Sequence, residues 1–207
     1  MKTKLIVNII VSGLDVFILA RYIYLLHKKK IQPALATWTF FSLAVGISLF
    51  TYFSSGNGSY TISDNVLNFA DFILVTGVSI AIYILGDSTT RFNRFDLGCL
   101  GGIGLVIVFW IVFNKPVITN FSVQAIMVLS YFPVVKRMFI QKKNTEDFPI
   151  WIALMVAPVI SLMASKGLLA SVYAVRAIFC TGALLLLMLR IEILDRKRKK
   201  LGLSGLS

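Results

Sequence analysis

The sequence predicts an all-α integral membrane protein of seven transmembrane helices, and three observations lead there. The chain is 57% hydrophobic with a mean hydropathy of +0.84. Only 14% of its 207 residues are charged, against about 25% in soluble globular domains. Its apolar residues gather in long runs joined by brief connections, which leaves no room for a second, soluble domain. A spanning helix needs roughly 20 mainly apolar residues, and a bilayer offers no partner to an open sheet edge, so such runs are helices.

The runs lie at 5–26, 35–53, 65–85, 97–113, 117–138, 149–164 and 168–194. The first carries Asp15 and ends in Arg21 without a small-residue cleavage site, so it is expected to be retained rather than removed as a signal peptide. The second and the sixth each open near a tryptophan, Trp38 and Trp151, expected at the membrane edge. The third holds Asn68 and Asp71. The fourth and sixth are short and span only with their flanks. Gly98, Gly101, Gly102 and Gly104 make the fourth able to pack closely, so a homo-oligomer is compatible with it. The fifth has Pro133 near its end, the sixth contains Pro158, and the seventh runs into the basic stretch 196–200.

Charge fixes an expected orientation. Of the 21 Lys and Arg residues, 16 follow the first, third, fifth and seventh runs, whereas Lys2, Lys4, Lys115 and Lys166 lie on the opposite side. The positive-inside rule then puts the N-terminus outside and the C-terminus in the cytoplasm of a multi-pass protein, expected in the cell (plasma) membrane. The net charge of +12 is therefore a topology signal. It marks no nucleic-acid surface, because no base-stacking aromatics interleave the basic residues; residues 196–200 are placed to touch anionic headgroups of the bilayer. Cys99 and Cys180 sit in apolar runs as small hydrophobes, and neither a disulfide framework, a metal site nor a cofactor motif follows. The only histidine, His27, lies in a basic loop, so no catalytic arrangement is expected and the chain is read as no enzyme.

An internal repeat divides the runs. Lys28-Lys29-Lys30 followed by Trp38 is answered by Gln141-Lys142-Lys143 followed by Trp151 at an offset of 113, and Thr76-Gly77 by Thr181-Gly182 at 105. The expected organisation is a three-helix repeat over 1–95, an inverting linker helix over 96–114, a second three-helix repeat over 115–195 and a basic cytoplasmic tail over 196–207. Parallel repeats of this kind occur in transporters, with the solute site near mid-bilayer where the repeats meet.

Tyr131-Phe132-Pro133-Val134-Val135-Lys136-Arg137, followed by Lys142-Lys143-Asn144-Thr145-Glu146-Asp147-Phe148, resembles the signature of the SWEET and PQ-loop superfamily. The motif match covers about 25 residues, and the 3+1+3 plan most of the chain. The resemblance implies two three-helix halves around a central path for a small solute such as a sugar or amino acid, with Pro133 and Pro158 as hinges. The first-half positions answering these prolines are Ala20 and Val45, and the positions of the family's sugar-binding asparagines hold Leu74 and Phe179.

Three ionisable residues fall within the runs, Asp15, Asp71 and Arg176, each costing roughly 2.5–3.5 kcal/mol at a helix centre on insertion scales and therefore expected to face the bundle interior. Offset 105 makes Asp71 and Arg176 equivalent and points to an ion pair. Helical spacing extends the stripe through Asn8, Ser12 and Asp15, through Asp64, Asn68 and Asp71, through Asn120, Gln124 and Tyr131, and through Tyr173, Arg176 and Cys180. Two carboxylates and one guanidinium leave one negative charge that a proton can neutralise, and related PQ-loop exporters use membrane aspartates in that way. The expected pathway residues are thus Asp15, Asp71, Arg176, Asn68, Tyr173, Asn8, Asn120 and Gln124. The sequence leaves open a facilitator, a proton-coupled carrier, or a non-transporting sensor or assembly factor that keeps the fold.

Overall fold

The computed structural model describes residues 2–55, 59–86, 91–92, 94–113 and 115–200. The last seven residues of the predicted tail lie outside these, and so does the side chain of Cys99. All regular structure among the described residues is helical: α1 (Lys2–His27), α2 (Leu35–Ser55), a 3-10 turn (Ile62–Asp64), α3 (Val66–Leu85), α4 (Arg94–Phe113), α5 (Pro116–Leu129), α6 (Phe132–Gln141), α7 (Phe148–Ser161) and α8 (Leu168–Lys200). Among the described residues, five stretches are long and apolar enough to cross a membrane: α1, α2, α3, the α5–α6 stretch Val117–Gln141, and Leu168–Lys199 of α8. α7 is apolar but only 14 residues long.

The fifth run is broken rather than continuous. α5 stops at Leu129, Ser130 and Tyr131 form a turn, and α6 restarts with Pro133 in its first turn. Proline has no N–H to give the carbonyl four residues back, and its ring crowds that carbonyl, so the helix kinks there. α6 ends at Lys142 in the left-handed conformation, φ 53°.

α3 packs against both α1 and α2, while α8 packs against α7 and, less extensively, α5. The two groups meet where α1 lies on α7 and α2 on α5. Small residues let α3 come close: a methyl group at Gly77 would stand 3.1 Å from Leu19 of α1, and one at Gly46 would stand 3.1 Å from Phe72. α4 leans on α5, and methyl groups at Gly98, Gly101, Gly102 and Gly104 would meet open space. These glycines therefore serve no close contact within the chain.

The core is one large apolar cluster running from Val7 of α1 to Ile191 of α8, with a small second cluster of Tyr52, Leu169 and Ala170. Around it the outer faces are equally apolar: Leu5, Ile9, Val16, Phe17, Ile80, Ile84, Leu105, Val112, Phe179 and Leu186 are all exposed. Helices hydrophobic on every side belong in lipid, and this chain is read as a helical membrane protein.

Candidate functional site

The polar residues of the middle of the bundle converge on one chain of hydrogen bonds. Ser48 of α2 is its hub, because its Oγ accepts from Asn68 Nδ2 at 3.0 Å and from Gln124 Nε2 at 3.2 Å. Asn120 Nδ2 donates to the Ser48 carbonyl at 3.0 Å and to Thr51 Oγ1 at 2.9 Å. Gln124 also donates to Asn120 Oδ1 at 3.1 Å and accepts the Nε–H of Arg176 at 3.1 Å. The guanidinium lies 4.8 Å above the Tyr173 ring, and the Tyr173 hydroxyl donates to Asp71 Oδ2 at 2.7 Å. One network thus joins α2, α3, α5 and α8.

Asp71 and Arg176 share this site but make no direct ion pair. Tyr173 stands between them, offering its ring to the cation and its hydroxyl to the anion, an arrangement in which cation–π attraction and a charge-assisted hydrogen bond replace the salt bridge. Arg176 uses only its Nε–H on the protein among the described residues.

Asp15 is 4% exposed, and neither of its carboxylate oxygens has a hydrogen-bond partner. It stands close enough to Asp71 for the two charges to repel. Asn8 is half-buried with its Oδ1 also unpartnered. Ser12, between them in the predicted stripe, is exposed on the outer face of α1. Phe179 is 74% exposed and faces away from the bundle, whereas Leu74 is buried.

Asp71, Tyr173 and Arg176 border a cavity of about 40 Å³ whose other walls include Val45, Val75, Pro158 and Thr181. Trp38, Phe41, Tyr131 and Trp151 line it on the side of the basic loops. Both tryptophans are 1% exposed and their rings lie 6.1 Å apart, with Tyr131 against Phe41 at 5.0 Å and against Trp151 at 6.0 Å. Both tryptophans stand near the loop ends of their helices, where the sequence placed them, with their side chains buried. Each lies one turn inside its helix on the face turned to the other group, so it packs inward.

Beyond this aromatic plug the two basic loops are bound to each other. Arg21 grips Asp147 with two hydrogen bonds, 2.5 and 3.1 Å, and Arg137 Nη1 donates to the carbonyls of Gln32 and Pro33, both at 2.8 Å. The Gln32 N–H meets the Thr145 carbonyl at 3.2 Å. Glu146 is buried between Tyr22 and Trp151, whose O–H and N–H both donate to its Oε2, while its Oε1 has no partner. Burial raises the Glu146 carboxyl to about 7, against the lowering effect of the two hydrogen bonds and of the nearby Arg137 charge.

The opposite end is closed by Asp64 in the 3-10 turn. Lys4 of α1 pairs with its carboxylate, Thr61 donates to it through both side chain and backbone, and the Lys166 N–H donates to its main-chain carbonyl at 2.9 Å. The hydrogen bond from Lys4, with those from Thr61, holds the Asp64 carboxyl well below the usual carboxylate range. Tyr52 donates to the Lys166 carbonyl at 3.1 Å and stacks on Tyr60.

Of the residues expected on a path, Asn68, Asp71, Asn120, Gln124, Tyr173 and Arg176 are brought together, Asp15 lies beside them, and Asn8 stands apart without a partner. Sequence reasoning missed Ser48, Thr51 and Glu146. A buried serine in an apolar helix gives no periodic signal, and Glu146 reads as a solvated loop residue until Tyr22 closes over it. Comparison with family models, with curated proteins and with solved structures gave no match.

Proposed function

We propose that this chain is a carrier of a small polar solute with seven membrane spans in a SWEET-like 3+1+3 arrangement. In this reading α1–α3 and α5–α8 are the two repeats, α4 is the linker, and the basic loops face the cytoplasm of the cell membrane. Recurring burial supports the repeat. Thr37, Trp38, Phe40, Ala44, Val45 and Ser48 of α2 are answered at 113 residues by Ile150, Trp151, Ala153, Ala157, Pro158 and Ser161 of α7, all buried. Lys29 and Lys142, the non-glycine residues with positive φ among those described, share that offset and the same φ of 53°. Val7, Val11, Asp15, Ile18 and Tyr22 correspond at 112 to buried Thr119, Val123, Met127, Ser130 and Val134. Leu67, Ala70, Leu74, Val78 and Ala81 correspond at 103 to buried Ala170, Tyr173, Ala177, Thr181 and Leu184. At that offset, two short of the 105 that pairs Asp71 with Arg176, Asp71 is answered by Ala174.

The observation that carries the transport reading is the membrane-buried charge set around a small cavity. Asp15 lacks any partner, Asp71 and Arg176 border the cavity, and a scaffold would reach the same packing with apolar residues at lower free-energy cost. About 40 Å³ admits no more than a few water molecules, well short of the roughly 300 Å³ and more of a ligand pocket. In this state the cavity is therefore too small for a solute, narrowed on one side by the aromatic plug and the Arg21–Asp147 bracket, and on the other by Asp64 and its partners. Admission of a solute requires the halves to rock, with Pro133 and Pro158 as the hinges.

Arg176 leaves its terminal nitrogens for a bidentate hold on a carboxylate, and Leu74 and its counterpart Ala177 offer nothing to a sugar hydroxyl, so the reading favours an amino-acid-like solute. Asp15, without a cation of its own, is the carboxylate placed to take up a proton with the solute. The purified chain reconstituted in vesicles with a trapped pH indicator tests this against panels of amino acids and sugars. Acidification driven by amino acids, and lost in Asp15→Asn, is expected. A chain that moves neither solute nor protons would instead be the non-transporting relative that Ala20 and Val45 favour.

A further inference from the structure

We propose that the groove between the end of α6 and the last turns of α8 is a binding site for one anionic phospholipid. Met138, Phe139 and Lys142 form one wall, and Leu187, Arg190, Ile191, Leu194 and Arg198 the other, around a cavity of about 250 Å³. The inference is independent of the transport reading and needs only that the apolar helices lie in a bilayer.

The depth is that of a headgroup. α8 begins at Leu168, and about 20 residues of helix cross the hydrocarbon, so the chain leaves it near Met188. Met138 and Leu187 then border acyl chain, Arg190 stands at the boundary, and Lys142 and Arg198 lie beyond it at the phosphate level. On α8 the wall follows helical spacing, with Leu187, Arg190, Ile191, Leu194 and Arg198 falling on one stripe.

The charge is uncompensated. The carboxylates nearby on α8, Glu192 and Asp195, are held by Arg196 and Lys199 in i,i+4 pairs on a neighbouring stripe. Arg190, Arg198 and Lys142 are exposed, and the groove they border contains no acidic side chain. A groove apolar at its membrane end and tricationic at its outer end matches the profile of a phospholipid whose phosphate carries net charge. Zwitterionic lipid satisfies the apolar half only.

The full-length chain in detergent, mixed with phosphatidylglycerol or with phosphatidylcholine of the same acyl chains, is examined by native mass spectrometry. One phosphatidylglycerol retained per chain is expected, with weaker retention of phosphatidylcholine and no displacement by inorganic phosphate. Each cation removed among Lys142→Gln, Arg190→Gln and Arg198→Gln is expected to lower affinity about fivefold. Lys28→Gln/Lys29→Gln/Lys30→Gln, which removes equal charge elsewhere, retains the lipid, and Leu194→Trp, which fills the groove without touching charge, releases it. Equal retention of the two lipids, equal losses in the two triple variants, or displacement by inorganic phosphate would overturn the proposal.

Discussion

At the scale of single residues, Ser48 and Glu146 carry consequences out of proportion to their size. Ser48→Ala removes the acceptor for Asn68 and Gln124 deep in an apolar helix and leaves donors without partners, a loss of about 1–3 kcal/mol. Thermal unfolding in detergent should show this beside Thr39→Ala, which touches only the half-buried Thr39–Ser79 pair and should change little. Glu146 adds a pH dependence whose sign is fixed. Its carboxyl is raised from 4.5 to about 7 in the folded chain, so the folded state binds the proton more tightly than the unfolded one. The stabilisation from that proton is complete below about 4.5 and is lost as pH rises through about 7. The melting temperature should therefore fall between pH 5.5 and 8, and Glu146→Gln should flatten this dependence while keeping an acceptor for Tyr22 and Trp151.

At the scale of elements, turns and helix ends decide which pieces of chain meet. Gly167, just before α8, has φ 84°, and a methyl group there would lie 2.7 Å from the Tyr60 hydroxyl. Gly167→Ala is expected to destabilise by about 1–2 kcal/mol from the left-handed backbone alone, with more from the contact. In a Tyr60→Ala background only the contact part should disappear, so melting temperatures of the four combinations separate the two causes. Six of the helices follow the apolar runs of the sequence within a few residues, because in lipid every backbone group must be satisfied along the chain itself. The exception was the fifth run. Its apolar residues continue across Ser130 and Tyr131, and the break at Pro133 depends on backbone hydrogen bonds that hydropathy does not register.

At the scale of the whole molecule, the contacts between the two basic loops tie the α1–α2 connection to the α6–α7 connection. Cysteines replacing Gln32 and Thr145, whose backbones are joined at 3.2 Å, should cross-link readily in a chain with Cys99 and Cys180 replaced by serine. If the halves rock apart during transport, the oxidised form should lose solute exchange by at least tenfold and regain it on reduction. Exchange that continues unchanged with the cross-link in place would show that the moving parts lie elsewhere.

The sequence by itself determined that the chain is helical and built for lipid. Composition and run length leave no other way to satisfy a backbone in hydrocarbon, and the same runs made Asp15, Asp71 and Arg176 stand out as charges that must turn inward. Only the tertiary structure decided what those charges meet. Asp71 and Arg176 looked like an ion pair at a fixed sequence offset, yet the face each presents depends on how α3 and α8 are rotated in their bundles, and that rotation set Tyr173 between them. The rotation of α8 also turned Phe179 outward, while the packing of α2 and α7 turned Trp38 and Trp151 toward each other and buried Glu146. A periodic pattern fixes which residues share a face of one helix, but the packing of several helices fixes which faces see one another.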